Sequence, residues 1–289
     1  MCCPPEPLYA DVTWGAGGTT SDLTLEMCTK LTHTYGMVAN MHLTCTNMEA
    51  AKVDEALAGA KDAGIRNIVA LRGDAPAGQE EWTATEGGFN CALDLVKHIR
   101  ATHGDYFCVS VAGYPEGHPT VIKPVEDESK LTASELTRVV RNADGVFVCF
   151  DADYAKEMAY LKEKVDAGSD FILTQMFFDV NVFFTFCDDC KAAGINVPVI
   201  PGIMLIQNYG GFKRMTSLCK SRVPQEVFDA VEAAKEDKEK VKAYGAQFGT
   251  EVCEALVAKG HKGLHMYTLN LENVTYEVMA KLGLKKEVA

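Results

Sequence analysis

Leu71–Arg72–Gly73–Asp74 closes the apolar run Ile68–Val69–Ala70 and sets a cation and a carboxylate on either side of a glycine. A glycine at such a point lets a ligand approach the backbone, while the flanking charges offer a phosphate clamp and a charge beside a reacting ring. The same two charges also suit a pair that pins a loop. His42, in His42–Leu43–Thr44–Cys45, stands where an apolar run gives way to a loop and reads as a ligand or as a structural hydrogen-bonder. Tyr114–Pro115–Glu116–Gly117–His118–Pro119 sets an aromatic face and an imidazole on a rigid loop, although Pro and Gly favour a plain turn as well. Gln175 ends the run Ile172–Leu173–Thr174; its amide is either satisfied in the core or presents donor and acceptor to a heterocycle. Met176–Phe177–Phe178 reads as apolar wall.

These residues need elements that bring them to one place. Gly36, Gly64, Gly104, Gly168, Gly194 and Gly263 each close a helical pattern and open a short apolar run. Seven runs have strand character: Leu8–Thr13, Val38–Leu43, Asn67–Leu71, Phe107–Ala112, Phe171–Thr174, Val197–Pro201 and Leu264–Thr268. Helical patterns lie between them, at about 87–103, 154–167 and 180–193, over 208–260 and from Glu272 to Leu284. A capping box at Thr46-x-x-Glu49 is expected to start one helix, with Val53, Ala56, Leu57 and Ala60 on its buried face. Strands alternating with helices imply right-handed crossovers and a parallel sheet, with functional residues gathered at the carboxyl ends. The fold class is α/β, a (β/α)₈ TIM-type barrel, expected here to lack its first strand and helix, since the chain enters a strand by Leu8. One domain over 1–289 is expected, with a rim insertion at about 119–153 that holds a helix at Ser134–Arg141, an Asn–Ala–Asp–Gly turn and the apolar run Val146–Phe150.

Composition narrows the chemistry. The chain has 289 residues, 28 basic and 40 acidic, for a net charge of −12. That balance argues against nucleic acid as a partner. No apolar run can span a bilayer, and Met1–Cys2–Cys3–Pro4–Pro5 does not resemble a secretory leader, so a cytoplasmic protein is expected. Its 11 cysteines read as reduced thiols, with Cys187-x-x-Cys190 inside a helical pattern. No His-x-His or carboxylate trio supports a metal, no strand ends in the Lys of a Schiff-base barrel, and there is no Gly-x-Gly-x-x-Gly between strand and helix.

Taken together, nine segments resemble the methylenetetrahydrofolate reductase family, in order, from about residue 7 to 284. They are Asp11–Trp14, His42–Cys45, Ala70–Asp74, Gly88–Val96, Val111–Pro119, Leu161–Gly168, Thr174–Gln175, Ile200–Ile203 and Leu264–Asn270. The resemblance implies an oxidoreductase of one-carbon metabolism. NADH or NADPH would reduce FAD, and the flavin would reduce 5,10-methylenetetrahydrofolate to 5-methyltetrahydrofolate for methionine synthesis. It implies FAD contacts at Thr13, Trp14, His42, Arg72, Gly73, Asp74, Cys91, Ala92, Tyr114, His118, Glu157 and Lys164, with Glu157 standing where the family has Asp. It assigns Asp74 also to the folate and to tuning the flavin's charge. Gln175 and Tyr267 are expected to hold the pterin, and Tyr209 is expected to stack on substrate. A homo-oligomer is expected.

Three departures from the family pattern stand out. Cys91 replaces a Tyr found in some members, and Leu271 stands where many have an Arg that meets the folate. The family's first strand carries Glu–Phe–Phe–Pro–Pro, whose Glu is the general acid; Glu6 is too close to Leu8 to replace it. Loss of that acid is expected to cost on the order of 10²–10⁴ in rate. The alternative implied is a non-catalytic FAD-binding paralogue or a fragment of the enzyme.

Overall fold

The computed structural model describes residues 7–14, 21–74, 82–142 and 144–284. Cys2, Cys3, Glu6 and Ala143 of the Asn–Ala–Asp–Gly turn lie outside the described residues. The chain begins with β1 (Ala10–Val12), α1 (Ser21–His33), β2 (Ala39–Thr44), α2 (Ala50–Asp62), β3 (Asn67–Leu71), α3 (Ala92–His103) and β4 (Cys108–Gly113). The insertion follows, with β5 (Lys123–Pro124), a 3₁₀ turn at Glu128–Lys130, α4 (Ala133–Leu136), β6 (Val140–Asn142) and β7 (Gly145–Val148). Alternation then resumes with α5 (Asp151–Asp166), β8 (Phe171–Thr174), α6 (Val180–Ala192), β9 (Val199–Ile200) and β10 (Gly202–Met204). Last come α7 (Tyr209–Cys219), α8 (Gln225–Ala234), α9 (Lys238–Ala258), β11 (His265–Tyr267) and α10 (Asn273–Lys281). Parallel strands that alternate with helices make this an α/β fold of the TIM type. Among the described residues no helix is long and apolar enough to cross a membrane.

Two compact units divide the chain. One holds Pro7–Ala112 and Leu161–Ile172; the other holds Gly113–Tyr160 and the chain from Leu173 onward.

In the first unit β1, β2, β3 and β4 lie side by side in that order, all parallel. Register fixes what each face carries. Met41 pairs with Ile68 and Leu43 with Ala70; Ile68 in turn pairs with Val109 and Ala70 with Val111. All six are fully buried. Together with Val53 and Leu57 of α2 and Leu95, Val96 and Ile99 of α3 they supply the core of this unit. Each of these Met, Leu, Ile and Val side chains contributes about 1.5–3 kcal/mol relative to exposure. Strand side chains alternate, so the other face carries Asp11, Asn40, His42, Thr44, Asn67 and Ser110. One face is thus wholly apolar, while the other mixes these polar groups with Val69, Leu71 and Cys108.

In the second unit Phe177, Ile203 and Leu205 enter one cluster with α6, α9 and α10, while Met176, Phe178, Met204 and Ile206 enter another with α7, α8 and α9. Met176–Phe177–Phe178 is wall, as its apolar character predicts. The run expected as the strand Val197–Pro201 holds only β9, Val199–Ile200, and a second strand, β10, follows beyond Pro201. Proline has no N–H to give a ladder, and its carbonyl instead accepts from His265 N at 3.0 Å. β10 then pairs with β11. Val146–Phe150 does form a strand over Gly145–Val148, central to an antiparallel sheet in the order β5-β7-β6.

Three local expectations need correction. The helix expected over Ser134–Arg141 is only Ala133–Leu136, started by a capping box of Thr132 and Glu135, and Arg141 lies on β6. Gly260, at φ 92°, and not Gly263, follows the end of α9. The capping box at Thr46 does not form: Asn47 turns left-handed at φ 53°, α2 starts at Ala50, and Glu49 makes no side-chain cap.

Within α9, Gly245 faces the Ile206 carbonyl, and an added Cβ would stand 1.9 Å from that oxygen. Gly245→Ala is therefore expected to cost about 1–3 kcal/mol through forced displacement. Urea unfolding checks this, and an unchanged midpoint would contradict the close approach.

Candidate functional site

The first unit gathers several of the expected residues around one turn. Cys45 N donates to the carbonyls of Leu71 (3.2 Å) and Arg72 (3.0 Å), and Cys45 Sγ reaches the Leu71 and Cys91 carbonyls at 3.4 and 3.5 Å. Thr46 Oγ1 lies 3.1 Å from the Arg72 carbonyl and 3.0 Å from that of Asp74, while accepting from Trp82 Nε1 at 2.7 Å. The Arg72 guanidinium carbon is 5.3 Å from the Trp82 ring centroid. This turn therefore binds the segment after β3, the Trp82 ring and the start of α3 into one neighbourhood. The hydroxyl that would have capped α2 is spent here, which is why that cap is missing.

Gly73 is required by the arrangement. Its φ is +88°, and a Cβ would meet Thr46 Oγ1 at 2.4 Å and Thr44 Cβ at 3.1 Å. Cys91 is the N-cap of α3 and makes no side-chain cap, so the first amides of that helix, from Ala92 on, are not covered by it. Asp74 is exposed and Arg72 half-buried. His42 lies within β2, not past its end, and its Nε2 is 3.1 Å from Asp11 Oδ2 on the neighbouring strand. Thr13 follows β1 and is exposed, whereas the Trp14 ring is only 1% exposed and belongs to the core. Lys164 is 5% exposed, and its Nζ donates to the Ala112 carbonyl at the end of β4 (2.8 Å). Burial holds the Cys45 thiol protonated, its pKa pushed up to about 12.

The second unit carries the remaining expected residues. Tyr114 and His118 meet edge to face, ring centroids 4.7 Å apart. His118 Nδ1 accepts from Thr120 N at 3.3 Å and lies 2.7 Å from its hydroxyl. Gln175 N donates to the Gly113 carbonyl (2.7 Å), and its side-chain Oε1 accepts from Met176 N (3.0 Å). That bond leaves Gln175 its amide N–H pair and the second lone pair of the oxygen to present. Tyr267 donates its hydroxyl to the Thr174 carbonyl at 2.9 Å, and its ring lies so close to Gly202 that a Cβ there would stand 2.6 Å away. Tyr209 opens α7 and gives its hydroxyl to Glu232 Oε2 at 2.6 Å, so it is tied to α8. Glu157 is half-buried on α5. Leu271 is exposed, and its carbonyl accepts from Gln207 Nε2 (2.8 Å). Cys187 and Cys190 are buried in α6, and among the described residues no group of three His, Cys, Asp or Glu is placed to hold a metal.

Sequence reasoning missed Thr46, Trp82 and Asp11. The Thr46 hydroxyl was legible only as a helix cap, and nothing in the spacing ties residue 82 to residue 46. Glu116 was legible only as part of a turn, yet it is 4% exposed, and burial pushes its pKa from 4.5 to about 8, with Asp179 adding to the shift and Arg222 opposing it.

Because the folded protein holds that proton more tightly than the unfolded chain, its contribution to stability is complete below about pH 4.5 and is lost as pH rises through about 8. Thermal unfolding across that window is expected to show a steeper loss for the native sequence than for Glu116→Gln, which has no proton to give up. Parallel curves would refute the assignment.

Comparison with known proteins adds the family. The sequence model for methylenetetrahydrofolate reductase matches residues 4–283. A probable methylenetetrahydrofolate reductase (NADH) of Oryza sativa subsp. japonica is 47% identical over 281 residues, which is 97% of this chain and 44% of that protein. Methylenetetrahydrofolate reductase (NADH) 1 of Arabidopsis thaliana gives the same identity and the same coverage. The 5,10-methylenetetrahydrofolate reductase of Pectobacterium carotovorum subsp. carotovorum is 32% identical over 286 residues, 98% of this chain and 83% of its own length. The chain thus spans less than half the length of the plant relatives. Matched from near its beginning to near its end, it belongs to the methylenetetrahydrofolate reductase family.

Proposed function

We propose that this chain binds FAD and catalyses reduction of 5,10-methylenetetrahydrofolate to 5-methyltetrahydrofolate at the expense of a reduced nicotinamide. The relatives at 47% identity carry NADH in their names, and NADH is the proposed reductant. The observation that carries the reading is the neighbourhood built by Cys45 and Thr46 in a member of this family. It assembles a guanidinium, a glycine backbone too tight for any side chain, and a helix start without a side-chain cap. Those are the donors that a diphosphate-bearing cofactor needs.

FAD, when bound, would supply two-electron acceptance and hydride delivery; the chain's own residues supply position and charge. Arg72, Gly73, Cys91 and Ala92 are proposed to hold the cofactor in the first unit, with Thr13 just past β1, His42 on β2 and Lys164 reaching the end of β4 from α5. Trp14, being core, would support that wall from behind. His42 is oriented by Asp11, which fixes the ring rather than leaving it to rotate. Asp74, exposed at the end of its loop, would keep a negative charge beside the reacting ring and face the folate. In the second unit Tyr114, His118 and Glu157 are proposed cofactor contacts. The N–H pair of Gln175 and the ring of Tyr267 are proposed to hold the pterin, with Tyr209 as an aromatic partner for substrate.

Titration of the purified protein with FAD should give a saturable change in the flavin bands. Anaerobic NADH should bleach it, and 5,10-methylenetetrahydrofolate should restore it. Arg72→Ala is expected to weaken FAD binding by on the order of tenfold or more, the loss of a charge-assisted contact. Gly73→Ala, which displaces the loop itself, should be at least as severe. Protein that takes up no flavin, or bleached flavin that the folate leaves bleached, would defeat the proposal.

A further inference from the structure

Three consecutive residues after α7 grip loops far from them in sequence. Lys220 Nζ donates to the carbonyls of Pro119 and Ile122, both at 2.9 Å. Ser221 Oγ lies 3.4 Å from the Met176 carbonyl. Arg222 does most: its backbone N–H donates to Glu116 Oε1 (3.2 Å), its Nε to Asp179 Oδ2 (2.9 Å), and its Nη1 to the Val139 carbonyl (3.1 Å) and, more weakly, to that of Leu136 (3.4 Å). All of these partners lie within the second unit.

Two features set this segment apart from an ordinary helix end. Lys220 is left-handed at φ 46°, a conformation that glycine adopts without strain and lysine does not. A lysine there is explained by its ammonium, which reaches two carbonyls that glycine could not. Moreover, the acceptor for Arg222 N is a buried carboxyl on the very loop that carries the Tyr114–His118 ring pair. That loop also needs Gly117, at φ 98°, where a Cβ would fall 2.7 Å from Cys149. It is held from both sides. Asp179, the other end of the Arg222 bridge, is the N-cap of α6, accepting from Asn181 N.

We infer that Lys220–Ser221–Arg222, acting with Glu116, is a clasp that positions the Tyr114–His118 loop for the cofactor and seats the insertion beside it. These are positioning residues, since none is proposed to touch the cofactor or substrate. The clasp ends α7, whose first residue is Tyr209, so one helix joins the proposed substrate aromatic to the loop that bears the proposed cofactor rings. The inference rests on the functional reading above for its purpose, but not for its geometry.

Two variants test it. Arg222→Lys keeps the charge and the backbone N–H to Glu116 but loses the guanidinium fork; Lys220→Met removes the bonds to Pro119 and Ile122 together with the ammonium over the Phe147 ring. In cofactor-free protein, hydrogen exchange is read at Gly117 N, bonded to the Tyr114 carbonyl, and at Val121 N, bonded to that of His118. Exchange at both is expected to quicken at least tenfold in either variant, while amides in the middle of α9 keep their native rates. FAD affinity is expected to fall at least fivefold in the same variants. Equal acceleration at α9, or none at Gly117 and Val121, would overturn the clasp. Local acceleration with undiminished FAD affinity would overturn its role in positioning the loop for cofactor. If the native protein binds no FAD, the functional reading fails, and the exchange rates still decide the clasp.

Discussion

Parallel pairing in fixed register is the constraint from which the first unit follows. Once His42 is opposite Val69 and Val69 opposite Ser110, strand alternation leaves no choice about which side chains share a face. A slip of β2 by one residue would turn Met41 and Leu43 to the opposite face and put Asn40, His42 and Thr44 in the apolar layer. The opposite face is itself buried, so the cost of a slip is that of packing Asn40, His42 and Thr44 into an apolar layer without partners. Core packing and site construction are therefore one event: burial of the apolar layer is what places Asp11 and His42 within reach of each other.

Strands bring chain segments near one another, but short polar side chains finish the arrangement. Thr46 serves two loop carbonyls and the Trp82 indole with one hydroxyl. Arg138 does comparable work in the insertion, with its guanidinium 2.6 Å from Asp151 Oδ1 and stacked 4.0 Å over the Tyr154 ring. Both are almost fully buried, where an unmade hydrogen bond is most costly. Both lie where a strand or helix gives way to irregular chain, which has no ladder of its own to satisfy its backbone.

What could be read from the sequence was what repeats. The alternation of apolar runs with glycine-ended helices marks β1, β2, β3, β4, β8, β9 and β11 to within a few residues, since period and punctuation follow from local geometry; β10 lies outside the expected runs. What could not be read depended on partners distant in the chain. Thr46-x-x-Glu49 satisfies the pattern of a helix cap, and only the presence of Arg72, Asp74 and Trp82 diverts its hydroxyl. Val197–Pro201 reads as one strand because the missing N–H of Pro201 matters only once a neighbour is there to receive it. Glu116 lies inside a motif whose evident chemistry is in its rings. Nothing local marks it as buried, and the groups that act on it, Arg222 through a hydrogen bond and Asp179 through its charge, are more than sixty positions away. The motif Tyr114–His118 was legible; the reason it holds its shape was not.

Lys220 and Arg222 fasten the insertion by its peptide oxygens, at Pro119, Ile122, Leu136 and Val139. Every amino acid offers that same oxygen. The gripped stretch is thus free to drift in side-chain identity while keeping its seat, whereas the two gripping residues are not. A designer wishing to graft a new surface onto this rim would have wide latitude in what is written there, provided its backbone path still delivers four carbonyls to those two cations.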